Sequence, residues 1–263
     1  MQFKVDGDNL HGRRVLITAG AQGLGWEMAK QFLVNGSQVL ISDINESALQ
    51  AAKASYPDVH TICSDVANEQ DVAAMFAAVE KVLGGLDVLI NNAGVAGPTA
   101  YTEDINKADW DHTLAVNITG QFLCVQRAIP LLKASESGVI INLSSAAGHL
   151  GFAGRAPYSA SKWAVVGFTK TLAIELGRFG IPVNAILPGA VDGDRIRAVI
   201  EAKAKTLNKP VQEVTQIYEN QASLGRMIQP DDVVNMALFL ASNAGRSISG
   251  QALVVDGHTQ ALS

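Results

Sequence analysis

The feature that most constrains the fold of this chain is an alternation between short apolar runs and longer stretches of helical periodicity. The short runs are rich in β-branched residues, which is typical of strands buried on both faces of a parallel sheet. Strands are predicted at residues 14–18, 38–42, 59–63, 88–91, 139–143, 182–187 and 252–255. Helices are predicted at about 23–35, 46–55, 69–83, 107–133, 157–178 and 230–241. We therefore expect an α/β fold with a seven-stranded parallel sheet and helices on both faces.

Composition limits the kind of protein and its partners. The 263 residues are 48% hydrophobic, and no repeat or Pro/Ser-rich linker interrupts them, so we expect one domain over 1–263. A net charge of −5 speaks against a nucleic-acid or membrane partner. The first eight residues lack a signal-peptide pattern, and we expect a cytoplasmic protein. Cys63 and Cys124 are expected to be buried, reduced thiols, and no metal site is predicted.

A glycine-rich turn follows the first predicted strand and leads into a helix. The turn runs from Thr18 to Gly25 and contains Gly20, Gln22, Gly23 and Leu24. Glycines let the backbone approach a pyrophosphate closely, and a helix N-terminus offers free N–H groups with partial positive charge. Asp43 lies 18 positions after Gly25, at the end of the second strand, where a carboxylate can bind an adenosine ribose. The pattern predicts a dinucleotide site, and a merely structural turn is the alternative.

Polar residues follow the third and fourth predicted strands. Asp65 and Val66 could reach an adenine ring, although Asp65 could equally cap the next helix. The fourth strand ends in Asn91, Asn92, Ala93 and Gly94. Ligands bind at the carboxyl ends of strands in open parallel sheets, so this segment predicts a further cofactor contact, with a plain turn as the alternative. Asn117 interrupts an apolar helical stretch and is either a core amide or a catalytic residue.

Tyr158 and Lys162 are four residues apart in a predicted helix that begins near Pro157, so they share one face. A free tyrosine has a pKa near ~10 and is a poor base at neutral pH unless a cation stabilises its phenolate. Lys162 can supply that charge, although an accidental pair is possible. Ser145 precedes Tyr158 by thirteen positions, so both hydroxyls could meet at one carbonyl or carbinol oxygen.

Together these motifs resemble the short-chain dehydrogenase/reductase family over nearly the whole chain. The resemblance implies a Rossmann-type doubly wound sheet, NAD(H) or NADP(H), and hydride transfer between nicotinamide and an alcohol or carbonyl carbon. It implies that Tyr158 is the acid/base and that Ser145 orients the substrate oxygen. It also implies that Lys162 binds the nicotinamide ribose and lowers the tyrosine pKa, while Asn117 holds a water. Tyr158, Lys162, Pro188 and Gly189 are then cofactor contacts as well.

The chain departs from the family pattern at two places. Ala19 occupies the position of the first glycine of the loop, and Gly20 follows it directly. We expect a locally adjusted but functional turn. After Pro188-Gly189 the family often carries a threonine that contacts the nicotinamide carboxamide, which this chain lacks. Backbone groups near Val191 are therefore the expected contact.

Residues 189–227 contain two amphipathic helical stretches, and the resemblance implies that this segment is a substrate lid. Asp192, Asp194, Arg195 and Arg197 cluster there, either as solvated surface charge or because the substrate is polar. His149, Phe152 and Arg155 are expected to border the substrate pocket. Arg155 could hold a carboxylate or a backbone carbonyl.

We expect an NAD-dependent enzyme, because Asp43 would repel the 2′-phosphate of NADP. The alternative is that Asp43 merely caps the helix that follows. Gln22 and Ile44 stand where NADP users in the family tend to carry Arg or Lys. The expected reaction interconverts a secondary alcohol and a ketone, on a small hydroxy acid, a sugar derivative or a cyclic or aromatic alcohol. The alternatives are an epimerase or dehydratase with retained NAD and a non-catalytic dinucleotide sensor or scaffold. The resemblance also implies a homo-oligomer, expected to be a tetramer.

Overall fold

Seven strands form one parallel sheet in the part of the chain that the structure describes. The computed structural model describes residues 10–262, apart from the side chains of Arg195, Ala202 and Thr206. The strands are β1 Arg14–Thr18, β2 Gln38–Asp43, β3 His60–Cys63, β4 Val88–Asn91, β5 Val139–Leu143, β6 Val183–Pro188 and β7 Ala252–Val255. Their order in the sheet is β3-β2-β1-β4-β5-β6-β7, with every pairing parallel. The predicted α/β class and the doubly wound sheet are confirmed.

The helices cover both faces of the sheet, with ends close to the predicted ones. They are α1 Gly23–Val34, α2 Glu46–Ser55, α3 Glu69–Leu83, α4 Lys107–Leu114, α5 Gly120–Lys133, α6 Ala156–Gly177, α7 Asp194–Leu207, α8 Val211–Asn220 and α9 Pro230–Ala241. The prediction of one regular helix over 107–133 is wrong. A π-helical turn, Ala115–Thr119, separates α4 from α5.

Alternate residues of each central strand enter different cores, which explains why the strands are apolar throughout. Val15 and Ile17 pack with α1, α2 and α9, whereas Leu16 packs with α3, α5 and α6. All three of these β1 side chains are completely buried. Burial on both faces removes the alternating polar residues that a half-exposed strand would carry.

The chain reverses its direction of winding between β1 and β4, which are neighbours in the sheet. At such a switch point the connections leave on opposite faces, and a crevice opens at the carboxyl ends of the strands. The glycine-rich turn after β1 and the segment after β4 both lie at this edge. The fold thus brings together the sequence motifs predicted to bind a dinucleotide.

The opposite, amino edge of the sheet carries an ion-pair network. The guanidinium of Arg14 donates from Nε to Oδ2 of Asp87 at 2.9 Å and from Nη2 to Oδ1 at 2.6 Å. The backbone N–H of Arg14 and the hydroxyl of Ser135 donate to the same carboxylate at 2.9 and 2.6 Å. Asp87 is buried, and burial alone would raise its pKa, but these hydrogen bonds outweigh burial and hold the pKa below its ordinary value.

The helices α7 and α8 share a small core of their own, made of Ile200, Ala204, Val214 and Tyr218. The predicted surface charges of this segment pair with one another, since Arg197 lies 3.1 Å from Asp192 and 3.6 Å from Asp194. The Arg197 side chain is 62% exposed, which supports the interpretation as solvated surface charge. The side chain of Arg195 lies outside the described residues.

The two cysteines lie in different environments. The expectation that both cysteines are buried is wrong for Cys63, which is exposed at the end of the edge strand β3. Cys124 is completely buried in α5, and burial raises its pKa to about 12. Among the described helices, none is both long enough and apolar enough to cross a membrane.

Candidate active site

The glycines of the turn after β1 serve two different purposes. A Cβ at Gly20 would lie 2.7 Å from the Ile41 side chain, and one at Gly25 would collide with the carbonyl oxygen of Ala19. These two glycines are required by close packing. Gly23 begins α1 with a φ of +52°, and a Cβ there would meet no atom within 4 Å. The open space at Gly23, beside the N-terminus of α1, suits the approach of a pyrophosphate.

Thr18 and Asn92 hold the glycine turn against the end of β4. The Thr18 hydroxyl accepts hydrogen bonds from the backbone N–H groups of Asn92 and Ala93, both at 3.0 Å. In return, the Asn92 side-chain amide donates to the carbonyl oxygens of Thr18 and Ala19 at 3.0 Å. The sequence signals these supporting roles only through polar residues at the ends of two buried strands, since Thr18 is the last residue of β1 and Asn92 follows β4.

Asp43 is the last residue of β2 and is partly exposed. Its Oδ2 accepts from the backbone N–H of Ala21 at 3.2 Å, and its Oδ1 accepts from the N–H of Asn45 at 3.0 Å. Asn45 is the N-cap of α2 and accepts from the N–H of Ala48, so the alternative that Asp43 merely caps this helix is wrong. A carboxylate offers about four lone-pair sites, and Asp43 therefore keeps acceptor capacity beside the glycine turn.

Asp65 and Val66 follow β3 and have different environments. Asp65 is exposed and accepts from the N–H of Ala67 at 2.9 Å. The cap of α3 is Asn68, whose side chain accepts two backbone N–H groups, so the alternative that Asp65 caps the helix is wrong. Val66 is buried, and a Cβ at Gly120 would lie 2.9 Å from its side chain. Any ligand contact of Val66 would therefore come mainly from its backbone.

Tyr158 lies in the first turn of α6, as predicted, and Lys162 lies one turn later. The Nζ atom of Lys162 is 5.7 Å from the centroid of the Tyr158 ring. Lys162 is only 4% exposed, and its Nζ donates to the carbonyl oxygen of Leu143 at 3.0 Å. This bond ties the ammonium group to the end of β5 and fixes a positive charge beside the half-buried phenol.

Ser145 follows β5 in extended backbone conformation and starts a short 3-10 turn, Ala146–Gly148. Its Oγ accepts from the N–H of Ala147 at 3.2 Å, which leaves the hydroxyl proton available for donation. This turn packs on the start of α6: Ser159 donates to the Ala147 carbonyl at 3.0 Å, and Ser144 donates to the Lys162 carbonyl at 2.8 Å. The packing brings Ser145 to the same end of α6 as Tyr158.

Asn117 lies in the π-helical turn and is completely buried. Its side chain accepts from the N–H of Val95 at 2.8 Å and donates to the Val95 carbonyl at 3.0 Å and to the Ser161 hydroxyl at 3.0 Å. These bonds connect the segment after β4, the helix pair α4–α5 and α6. A single extra residue per turn changes the direction of side chains, and π-helical turns frequently occur at functional sites for this reason.

Gly94 lies where Asn117 and Lys162 meet. A Cβ at Gly94 would lie 3.3 Å from Oδ1 of Asn117 and 3.4 Å from Nζ of Lys162. The neighbouring Asn91 is placed differently from the other predicted cofactor residues. It is 1% exposed, and its amide donates to Asn142 at 2.9 Å inside the sheet. The Asn91 side chain therefore points into the interior rather than toward the crevice.

The segment after β6 provides backbone groups at the edge of the site. A Cβ at Gly189, which follows Pro188, would lie 2.7 Å from the Cβ of Asp256. Ala190 and Asp192 exchange backbone hydrogen bonds with Ile228, both at 2.8 Å. Among the described residues other than Arg195, Ala202 and Thr206, none forms a hydrogen bond with the N–H or C=O group of Val191. A donor and an acceptor at one residue match what a carboxamide requires.

Two predicted substrate contacts flank Tyr158. Arg155 is 6% exposed, its Nη2 donates to the Ala96 carbonyl at 2.6 Å, and its Cζ lies 5.3 Å from the Tyr158 ring centroid. Arg155 was expected to hold either a carboxylate or a backbone carbonyl, and the structure shows that it binds a backbone carbonyl. His149 is partly exposed, and its Nε2 lies 3.8 Å from the buried Oδ2 of Asp256.

Comparison with known proteins identifies relatives along nearly the whole chain. A family model described as enoyl-(acyl carrier protein) reductase matches residues 18–258. Momilactone A synthase of Oryza sativa subsp. japonica is 37% identical over 257 residues, which cover 96% of this chain and 91% of that protein. Dehydrogenase/reductase SDR family member 6 of Aquarana catesbeiana is 34% identical and is covered to 97%, with 94% of this chain.

Solved structures with the same fold carry either nicotinamide dinucleotide. NAD⁺-bound xylitol dehydrogenase superposes with a TM-score of 0.89 at 26% identity, covering 94% of this chain and 98% of that one. A single-substitution variant of actinorhodin polyketide ketoreductase with NADPH superposes with a TM-score of 0.89 at 31% identity, covering 94% and 96%. The family model and the relatives match nearly the full length of the chain, and the solved structures share its fold. The chain belongs to the short-chain dehydrogenase/reductase family of oxidoreductases, whose members bind a nicotinamide dinucleotide.

Proposed function

We propose that the protein is an NAD(H)-dependent oxidoreductase that interconverts a secondary alcohol and a ketone. The observation that carries the proposal is the arrangement of Ser145, Tyr158 and Lys162 at the carboxyl edge of the sheet. Lys162 is fixed by the Leu143 carbonyl, and Ser145 keeps a hydroxyl proton for a substrate oxygen. Such a constellation serves proton exchange with an oxygen atom.

In the proposed reaction, Tyr158 exchanges a proton with the substrate oxygen. In the oxidative direction the phenolate removes the hydroxyl proton of the alcohol, and in the reductive direction the phenol donates it. The hydroxyl of Ser145 donates a hydrogen bond to the same oxygen, which orients the reacting carbon and stabilises developing negative charge. The ammonium of Lys162 favours the phenolate through its positive charge in a poorly solvated position. When bound, the nicotinamide ring accepts or supplies the hydride.

The residues around the crevice fit a dinucleotide. Gly20, Gln22, Gly23 and Leu24 form the turn at the N-terminus of α1, where the pyrophosphate would lie. Gly94, Lys162 and the backbone of Ala93 would border the nicotinamide ribose. The unengaged backbone groups of Val191 would bind the carboxamide. The water that the family resemblance implies at Asn117 stays a prediction.

We infer that NAD is preferred over NADP. Asp43 keeps lone pairs for the 2′- and 3′-hydroxyls, and in the described residues no cation forms an ion pair with it. Two unit charges about 4 Å apart at an effective dielectric near 20 repel by roughly 4 kcal/mol, an upper figure that solvent reduces. The adjacent Ile44 is 72% exposed and offers an apolar surface for the adenine ring.

Residues 189–227 are proposed to act as the substrate lid of a single domain spanning 1–263. The proposal rests on the position of α7 and α8, which follow the carboxyl end of β6 along the chain, and on the small core that these two helices share. A homotetramer is also proposed, supported by large apolar side chains that remain exposed on α5 and α6, namely Phe122, Trp163 and Ile174. The cytoplasmic location stays a prediction.

The proposal is tested by following NADH absorbance while the purified protein meets a panel of secondary alcohols and ketones. The panel contains hydroxy acids, sugar alcohols and cyclic and aromatic alcohols, each with its matching ketone. We expect turnover of at least one pair with NAD(H). Binding of NADH without turnover of any pair would instead favour a dinucleotide sensor or scaffold.

A further inference from the structure

Two buried polar atoms face one another beside the turn that carries Ser145. The Nε2 atom of His149 and the Oδ2 atom of Asp256 are 3.8 Å apart. Both atoms are buried, and neither has a hydrogen-bond partner among the residues whose side chains the structure describes. An N–H···O hydrogen bond usually spans about 2.7 to 3.2 Å. A shift of about 1 Å would therefore turn this contact into a hydrogen bond that satisfies both atoms.

Asp256 is held in place by the backbone around it. It follows β7 directly, is 5% exposed, and its Oδ1 accepts from the N–H of His258 at 2.8 Å. Its backbone carbonyl accepts from the Thr259 hydroxyl at 3.0 Å. A Cβ at Gly189 would lie 2.7 Å from the Cβ of Asp256, so this residue packs directly on the segment after β6. Since Oδ1 is already engaged, Oδ2 is the buried oxygen that requires a donor.

His149 ends the turn that begins at Ser145. Its backbone N–H donates to the Ala146 carbonyl at 3.1 Å, and the N–H of Gly148 donates to the Ser145 carbonyl at 2.8 Å. A Cβ at Gly148 would lie 2.9 Å from the carbonyl oxygen of Lys162, so the turn packs closely on α6. This hydrogen-bonded turn has Ser145 at one end and His149 at the other. A contact that fixes the His149 ring therefore also restricts the orientation of Ser145.

The two nitrogen atoms of the His149 ring have different surroundings. Nε2 is buried against Asp256, although the side chain as a whole is 34% exposed. An ionised carboxylate only accepts hydrogen bonds, so a bond to Asp256 requires a proton on Nε2. A neutral imidazole of that tautomer and an imidazolium both meet this requirement. Asp256 thus selects a form of His149 in which Nε2 carries a proton.

We propose that a hydrogen bond from Nε2 of His149 to Oδ2 of Asp256 positions the turn after β5, so that the Ser145 hydroxyl points to the substrate oxygen. The proposal rests on the proposed function, in which Ser145 donates to that oxygen. His149 and Asp256 are positioning residues, because they act through Ser145. Hydrogen bonds in active sites often shorten when a ligand binds, and a misplacement of about 1 Å can reduce the rate about 10²-fold. Because Asp256 packs on Gly189, the same bond connects the segments after β5, β6 and β7.

The first test removes the donor and then restores it. His149→Phe keeps a ring without nitrogen, and we expect kcat to fall about 10- to 100-fold while the affinity for NADH changes less than about twofold. His149→Gln places an amide nitrogen close to the position of Nε2 and should restore most of kcat, whereas the shorter amide of His149→Asn should not. His11→Phe, at an exposed position before β1, is the matched control and should behave as wild type. Equal kcat values for the Gln and Asn variants would contradict the proposal.

The second test distinguishes the positioning of Ser145 from a general contribution to folding. His149→Phe is combined with Ser145→Ala, and kcat of the double variant is compared with that of Ser145→Ala alone. The second substitution should lower kcat less than about twofold, because the hydroxyl that His149 positions is already absent. If the losses of the two single variants multiply instead, His149 does not act through Ser145 and the proposal is overturned.

A third measurement needs no turnover. Side-chain ¹⁵N chemical shifts distinguish protonated from unprotonated ring nitrogens, and the His149 signals are identified by their loss in His149→Gln. At about pH 8, where an ordinary imidazole is neutral, we expect a protonated Nε2 in the wild type, with and without NAD⁺. In Asp256→Asn the amide oxygen should keep the bond from the His258 N–H, so the NH₂ group faces Nε2 and the proton should move to Nδ1. A wild-type Nε2 without a proton would overturn the proposed bond.

The positioning pair and the proposed function can fail separately. If no alcohol or ketone reacts, the proposed function fails, while the protonated nitrogen of His149 still decides whether the bond to Asp256 exists. If alcohols react and Nε2 carries no proton, only the positioning pair is overturned.

Discussion

The two edges of the parallel sheet use similar side chains in opposite ways. At the amino edge, the carboxylate of Asp87 accepts four hydrogen bonds, three from Arg14 and one from Ser135. At the carboxyl edge, the carboxylate of Asp43 accepts two backbone N–H groups and remains partly exposed. The first carboxylate is saturated by the protein, whereas the second keeps capacity for another molecule.

This difference separates groups that stabilise the fold from groups that can act. The Arg14–Asp87 network is closed and connects β1, β4 and the segment before β5. At the other edge, Ser145 keeps a hydroxyl proton and Val191 keeps both backbone groups. A closed network contributes to stability alone, and an open group contributes to binding or catalysis at some cost in stability. Changes at the two edges should therefore affect different measurements.

The largest effect is expected at the carboxyl edge. Tyr158→Phe removes the proton-exchanging hydroxyl and keeps the ring, so kcat should fall by about 10² to 10⁴, the usual range for general acid-base catalysis. The Tm and the affinity for NADH should stay close to those of wild type. Steady-state kinetics and fluorescence titration measure these quantities. Tyr101→Phe, at a 68% exposed position, is the control and should keep full activity. A kcat of Tyr158→Phe within tenfold of wild type would remove Tyr158 from its proposed role.

The next effect is expected at the amino edge and concerns stability. Asp87→Asn removes the negative charge and replaces one acceptor with a donor that faces Arg14. Breaking such a charged, largely buried pair should lower the free energy of unfolding at pH 7 by about 2 to 4 kcal/mol. Urea unfolding measures the loss, and kcat per folded molecule should not change. Lost activity in fully folded Asp87→Asn would contradict the separation of the two edges.

The Asp87 network also has a defined pH dependence. Its pKa is lowered in the folded state, so the folded protein binds this proton less readily than the unfolded chain does. The contribution of Asp87 to stability is therefore fully present above the ordinary pKa of about 4 and declines as the pH falls below it. The difference in the free energy of unfolding between wild type and Asp87→Asn should therefore shrink as the pH falls below about 4.

The strands and most helices could be predicted from the sequence because their residues are buried on both sides and leave a strong periodic signal. Tyr158 and Lys162 could be predicted because their spacing depends on helix geometry alone, whereas Ser145 reaches the same end of α6 through contacts between the turn after β5 and this helix. The π-helical turn could not be predicted, since it depends on hydrogen bonds between Asn117 and Val95, which are 22 positions apart. The exposure of Cys63 escaped prediction because only the sheet order makes β3 an edge strand.

The contacts of the substrate region depend even more on distant parts of the chain. The hydrogen bond from Arg155 to the Ala96 carbonyl joins residues 59 positions apart, and Arg155 belongs to no motif with fixed spacing. The roles of Asn92 and Thr18 likewise require that the ends of β1 and β4 be neighbours. Pairs that form across the sheet leave no trace in a single sequence.

A smaller effect is expected for the choice of cofactor. If Asp43 keeps acceptor capacity for a ribose, kcat/KM for NAD should exceed that for NADP by at least about tenfold, which is about 1.4 kcal/mol. Asp43→Ala should shrink the ratio mainly by weakening NAD. Asp65→Ala, at an exposed carboxylate after the next strand, is the control and should leave the ratio nearly unchanged. Equal use of both cofactors by wild type would show that Asp43 does not serve the ribose.

The smallest effect concerns strain in the glycine turn itself. Ala19 has a φ of +48°, in the left-handed region that disfavours a Cβ by about 1 kcal/mol. Ala19→Gly relieves this strain, but glycine also gains about 0.5 to 1 kcal/mol of freedom in the unfolded chain. The two terms nearly cancel, so we expect unchanged or slightly higher stability in urea unfolding, by less than about 1 kcal/mol.

Ala21→Gly is the matched control for this last comparison, because Ala21 lies in the same turn, is 6% exposed and has no positive φ. In Ala21→Gly, glycine gains freedom in the unfolded chain and a buried methyl group is lost, but no backbone strain is relieved. This variant should therefore lower the free energy of unfolding by about 0.5 to 1 kcal/mol. If both variants lose the same stability, the left-handed conformation of Ala19 carries no strain. If Ala19→Gly is the more stable of the two variants, the wild-type turn that would hold the pyrophosphate contains backbone strain at Ala19. The hydrogen bonds from the Asn92 amide to the Thr18 and Ala19 carbonyls then keep this strained turn in place.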